Sequence, residues 1–172
     1  MPTAEAKRFF TTKPREIYFE TFEIYHPQGI NRRLVSRQFE PKTFGIESTA
    51  DRNAGQMVEF EPAAMEITPV QQSNQTTVSL ELQLGRVGKM VKEELNKING
   101  AGFLTPIEGI YRVYRGTSLS TPMTTPITLF CSSAGLDNED AALLFEDDNP
   151  ASITVSKRYL AQDFPGLEVL IG

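Results

Sequence analysis

The sequence predicts a mainly β fold, a β-sandwich or split barrel carrying one amphipathic α-helix. Three observations lead there. Turn signals recur at short intervals along the 172 residues, among them His26-Pro27-Gln28-Gly29, Asp51-Arg52-Asn53-Ala54-Gly55, Asn99-Gly100 and Phe164-Pro165-Gly166. Each supplies a preset φ, tolerance of positive φ or a side chain that bonds nearby backbone, and short stretches between such signals suit strands. Second, Thr77 to Leu84 alternates strictly, with Val78, Leu80, Leu82 and Leu84 on one parity and Thr77, Ser79, Glu81 and Gln83 on the other. That is the pattern of a strand with one buried face. Third, a single stretch, Arg86 to Asn99, has a helical period instead.

In chain order, Met1 to Arg15 carries Lys7, Arg8, Lys13 and Arg15 with only Phe9-Phe10 as apolar bulk, so residues 1–14 read as an N-terminal arm. One β-rich domain is expected over 15–167, followed by a short tail, 168–172. Glu16 to Tyr25 is strand-like, but its apolar parity shifts between Ile17/Phe19 and Phe22/Ile24. Either a bulge or apolar contact on both faces accounts for that shift. Leu34 to Phe39, Met57 to Ile67 and Ile107 to Arg115 are further strand candidates. Pro62 has no N–H, which confines the second to an edge or splits it in two. In the helical stretch Val87, Met90, Val91, Leu95 and Ile98 form one stripe, Lys89–Glu93 and Glu93–Lys97 are opposite charges at i,i+4, and Asn99-Gly100 is a fitting stop. This helix is expected to pack across one face or mouth of the sheet. Ile127, Leu129 and Cys131, and later Ile153 and Val155, repeat the strand alternation. Asp137 to Asn149 reads as a solvated acidic loop, with Asp137, Glu139 and Asp140 at one end and Glu146, Asp147 and Asp148 at the other.

Composition excludes several functions. Seventeen basic against 22 acidic side chains give a net charge of −5, which disfavours a general role on nucleic acid or anionic membranes. A single cysteine, Cys131, allows no internal disulfide and no cysteine-rich metal site. The first fifteen residues lack the apolar core of a signal peptide, and no stretch approaches the roughly 18 apolar residues of a membrane span. A soluble protein made in the cytoplasm is expected. His26 is the only histidine and sits in a His-Pro turn without a Gly-x-Ser-x-Gly elbow elsewhere, so it reads as a solvated turn residue rather than a catalytic base. Cys131, alternating with Ile127 and Leu129, reads as a small core residue. Gly85-Arg86-Val87-Gly88-Lys89 misses the spacing of a phosphate loop, because Gln83 stands five before Gly88 and Met90 follows Lys89. The acidic segment lacks the alternating ligands and the central glycine of a calcium loop. No catalytic residue, metal or cofactor is expected.

Three passages, in their order and spacing, carry a resemblance. They are Arg15-Glu16-Ile17-Tyr18-Phe19-Glu20-Thr21-Phe22-Glu23-Ile24-Tyr25-His26-Pro27; Met57 to Ile67 with the strand and helix that follow; and Gly109-Ile110-Tyr111-Arg112-Val113-Tyr114-Arg115 leading to Tyr159-Leu160-Ala161-Gln162-Asp163-Phe164-Pro165-Gly166-Leu167. Together they resemble a family of uncharacterised proteins encoded in tailed-bacteriophage tail modules and, more distantly, minor tail proteins of the lambda type. The resemblance implies a structural component of a long non-contractile tail at the distal tail or tip, with a β-sandwich or split-barrel core and no enzymatic activity. It further implies a homo-oligomeric ring joining tube to tip, six-fold before three-fold, with the tail tube, hub and tape-measure proteins as neighbours and the virion as location. A cell-wall hydrolase and an assembly chaperone or adaptor are the alternatives. On this reading DNA passes without specific binding, and Asp137, Glu139, Asp140, Glu146, Asp147 and Asp148 are candidate lumen-facing acids, since like charges repel. Phe9, Phe10, Phe164, Leu167, Val169, Leu170 and Ile171 are the candidate subunit interface, because the apolar tail costs about 1.5–3 kcal/mol per large side chain left in water.

Overall fold

A computed structural model describes residues 17–70, 78–85, 88–136 and 140–149. Among the described residues the chain is mainly β with one α-helix. Its strands are β1 (Tyr18–His26), β2 (Ile30–Ser36), β3 (Lys42–Gly45), β4 (Met57–Ala63), β5 (Met65–Val70), β6 (Ser79–Leu84), β7 (Glu108–Arg115), β8 (Ile127–Leu136) and β9 (Ala141–Glu146). The helix, α1, spans Gly88–Leu95 between β6 and β7 and is followed by a 3-10 turn at Gly100–Leu104.

The strands lie in the order β3-β4-β2-β1-β7-β8-β9-β6-β5. Neighbours are antiparallel except β2 and β4, which run parallel from Leu34↔Glu61 to Ser36↔Ala63. Only Ala64 separates β4 from β5, so one bent strand pairs with β2 through its first half and with β6 through its second. The sheet thereby closes on itself around a core, and the bend is its seam. Pro62 explains the change of partner. β3 pairs with Met57 to Phe60 and stops before it, and β2 takes over at Glu61, so the expected split does fall in this stretch.

Inside the barrel, Phe22, Ile24, Leu34, Leu82, Leu129 and Phe145 are all fully buried. Val91 of α1 joins them, placing the helix against β2 and β9. A second core lies on the other face of β1, where Phe19, Val35, Phe44, Ile46, Phe60 and Tyr114 pack together. Phe44 stands edge-on to Phe60 at 5.3 Å and tilted against Tyr114 at 4.6 Å between ring centroids, separations at which aromatic pairs attract. The shifting parity of β1 is thus resolved as apolar contact on both faces. Its register with β2 and with β7 is unbroken, so no bulge is involved.

Several expectations need correction. β2 covers 30–36 rather than 34–39, because the three-residue Pro27-Gln28-Gly29 turn starts it early and Arg37, at φ 55°, ends it. Ala141 to Phe145, expected within a solvated loop, is strand β9, held between β6 and β8 with Ala141, Leu143 and Phe145 buried. The helix stops at Leu95, short of Asn99, and Ile98 reaches the core from the turn that follows. Met90 is 45% exposed, and Val78 and Ile127 also face water instead of the core. Val78 precedes β6 rather than belonging to it. The expected strand around Ile153 and Val155 lies outside the described residues.

Candidate functional site

The seam opens a cleft. β2 ends at Ser36, and Arg37 adopts a left-handed conformation that turns the chain away, a backbone choice uncommon outside glycine. The bent strand meanwhile continues past Ala64 toward β6. Between the diverging chains lies a cleft of about 1070 Å³. Its lining includes the small residues Ala64, Gly85, Gly135 and Ala142 together with Arg37, Phe39, Glu66 and Asp140. The floor is a continuous outward row of paired positions, Glu66↔Gln83↔Ala142↔Gly135. Phe39 is 100% exposed. The described structure places no salt bridge on Arg37, Glu66 or Asp140.

β5 is the last strand in the order, so among the described residues its second edge has no strand partner. Pro69 lies opposite Leu80, and a residue without N–H belongs on the edge turned away from a ladder. Alternation then directs the amides of Met65 and Ile67 toward that free edge. It agrees that Gly85 N–H donates to Ala64 O at 2.9 Å, the next inward-bonded pair. Among the described residues the cleft therefore joins a strand edge without a strand partner, an exposed aromatic side chain and charges of both signs outside any salt bridge.

Above the other face of β1 sits a closed ionic network. Arg112 is 1% exposed and donates from Nη1 to Glu23 Oε2 at 2.8 Å, from Nε to Glu47 Oε2 at 2.8 Å and from Nη2 to Glu47 Oε1 at 2.9 Å. Arg33 Nε lies 3.4 Å from the other oxygen of Glu23. Burial works against the Arg112 charge, but the hydrogen bonds from Glu47 and Glu23 overcome it and raise its pKa. Burial likewise opposes ionisation of Glu47, yet the Arg112 hydrogen bonds prevail and hold its carboxyl below the ordinary value. Bidentate geometry of this kind is strong and directional. It pins the segment after β3 to the barrel wall, assisted by Tyr114, whose hydroxyl donates to Gly45 O at 2.9 Å. Arg52 adds an ion pair to Glu108 at 2.7 Å and covers the Tyr25 ring at 3.7 Å. Across the barrel, Arg32 bridges Glu94 of α1 at 2.7 Å and Glu61 of β4 at 3.1 Å. These cations act as staples between elements.

His26 is not the solvated residue its turn suggests: it is 1% exposed. Its Nδ1 accepts from Gln28 N–H, and Nε2 lies 3.2 Å from both Gly102 O and Thr105 O. The Nδ1 acceptor role places the proton on Nε2, which donates to those carbonyls. The imidazole thus ties the β1–β2 turn to the 3-10 segment, and Gln28 Oε1 adds a hydrogen bond from Asn99 N–H. Cys131 is half-buried, and burial pushes its thiol up to about 11, away from the reactive thiolate.

The candidate acids do not form one cluster. Asp140 is exposed beside the cleft, while Glu146 ends β9 and Asp147 and Asp148 follow it, about 20 Å away at about 3.4 Å per residue. Asp137 and Glu139 lie outside the described residues, as do Phe9, Phe10, Phe164, Leu167, Val169, Leu170 and Ile171. Among the described residues no group of three or more His, Cys, Asp or Glu could hold a metal ion. No described helix is long and apolar enough to cross a membrane. Sequence reasoning missed Arg37, Phe39 and Glu66. No local signal marked them, because their relation depends on the left-handed turn at Arg37 and on the seam between distant strands.

Among curated proteins and among solved structures nothing matches this chain. One protein family, DUF1833, described as a domain of unknown function, matches residues 4–139. That stretch takes in β1 through β8 and stops one residue before Asp140, and on this match the chain belongs to the DUF1833 family.

Proposed function

We propose that this chain is a structural protein of a long non-contractile phage tail, placed at the distal tail or tip, where copies form a ring joining tube to tip. The observation that carries the reading is the seam cleft, where, among the described residues, a strand edge without a strand partner adjoins a fully exposed phenylalanine and charges outside any salt bridge. Such a surface is costly to leave in water and is suited to contact with another protein. Membership of a phage-associated family supports the same reading. So does the employment of the single histidine as a backbone tie and of the buried arginine as a staple. Tail tube, hub and tape-measure proteins are the neighbours this role requires. DNA passes through the ring without adhering, and Glu146, Asp147 and Asp148, grouped at one end of β9, are the described acids best placed to act together on its phosphates.

Purified virions of the encoding phage test this proposal. Mass spectrometry is expected to detect the chain in intact particles, and antibody labelling in electron micrographs to mark one end of the tail. Particles that lack the chain overturn it.

A further inference from the structure

The cleft has features that specify what fills it. Alanines and glycines, Ala64, Gly85, Gly135 and Ala142, are among its lining, which leaves room for a side chain supplied from outside. Phe39, on the rim, is fully exposed; a phenyl ring buries about 150–250 Å² when it finds a seat. Charges of both signs line the same cleft, Arg37 two residues before the phenyl and the carboxylates of Glu66 and Asp140, none of them in a described salt bridge. A partner that inserts an aromatic side chain flanked by a cation would satisfy floor and carboxylates together. The Arg37-Gln38-Phe39 segment of this same chain has that composition and is already presented to solvent.

We propose that a second copy of the chain docks in the seam cleft, its Phe39 seated on the Ala64–Gly135–Ala142 floor and its Arg37 facing Glu66 and Asp140. This rests on the reading of the chain as a self-assembling tail component and assigns the contact through which copies meet. The left-handed backbone at Arg37 holds the segment outward, which lowers the ordering cost of binding.

The chain contains no tryptophan, so Phe39→Trp installs a single indole at the contact. In the full-length variant, emission is expected to be that of exposed indole when dilute. It should move to the blue over the same concentrations at which light scattering records more than one chain per particle. Adding Arg37→Glu places like charges together and should raise the concentration of that transition by more than about tenfold. Adding Glu66→Arg to this variant should bring the transition back. Emission that stays exposed at every concentration overturns the proposal. So does blue emission from a particle of single-chain mass, which means that the chain covers its own Phe39, and so does association that Arg37→Glu leaves unmoved. Virion composition tests the tail assignment separately. A chain found in tail tips whose indole stays exposed overturns this contact alone.

Discussion

Replacing Arg112 by methionine removes the cation from between two carboxylates and leaves one of them almost without water. Glu23 has a side chain 3% exposed, and its Oε2 loses the 2.8 Å partner at Arg112 Nη1. Its remaining cation, Arg33, lies 3.4 Å from the other oxygen. Glu47 retains 19% side-chain exposure, so water can solvate it once Arg112 has gone. The loss is therefore concentrated on Glu23, and breaking a buried pair from one side costs about 3–5 kcal/mol. Domains of this kind have about 5–15 kcal/mol in total. With a urea slope of about 2 kcal/mol per molar, the unfolding midpoint should fall by roughly 1.5–2.5 M. The double variant Arg112→Met with Glu23→Leu removes the stranded charge as well and should recover part of that loss. A single variant within about 1 kcal/mol of wild type refutes the reasoning, as does a double variant that loses the sum of the two singles.

Acid should loosen the same staple. The folded pKa of Glu47 is depressed, so its contribution is complete above the ordinary carboxylate value and is lost as pH falls through the depressed one. Glu47→Gln should therefore narrow the difference between urea midpoints measured near about pH 7 and about pH 3.5, and an unchanged difference removes Glu47 from the acid response. A Cβ at Gly109 would come 2.6 Å from Phe145 Cδ1 and 2.7 Å from Phe22 Cζ, two rings of the inner core. Gly109→Ala should cost about 1–3 kcal/mol by overpacking, measured by thermal or urea unfolding. His26→Leu removes the acceptor of the Gln28 amide and the donor to Thr105 O, while Gly102 O keeps its bond from Thr105 N–H, and should cost about 1–3 kcal/mol. Hydrogen exchange should then quicken at Gly102 and Thr105 while the β7 amides stay protected, and uniform protection refutes the tie.

The elements legible in the sequence are those whose evidence lies within a few residues. Leu80, Leu82 and Leu84 are buried as their alternation predicts, and Pro62 marks the change of partner because a missing N–H acts wherever the chain goes. β9 was obscured because Ala141-Ala142-Leu143-Leu144-Phe145 is apolar throughout and flanked by acids, so only the strands on either side of it reveal its extended form. His26 was misread for a related reason: a His-Pro turn normally faces water, and what buries it comes from a segment 76 to 79 residues away. The candidate site was the least legible part, since Arg37 and Glu66 acquire a relation only when the seam brings them to one cleft.

By itself the sequence determined the fold class, the helix after β6 and the alternating strands, all of which arise from backbone geometry and from side-chain periods of two or near four. Tertiary structure alone decided that the sheet closes at Ala64, that β1 is buried on both faces, and that a cleft opens where β2 stops and β5 continues. Those outcomes depend on contacts between residues distant in the chain, and a local pattern carries no record of which distant partner will cover each face.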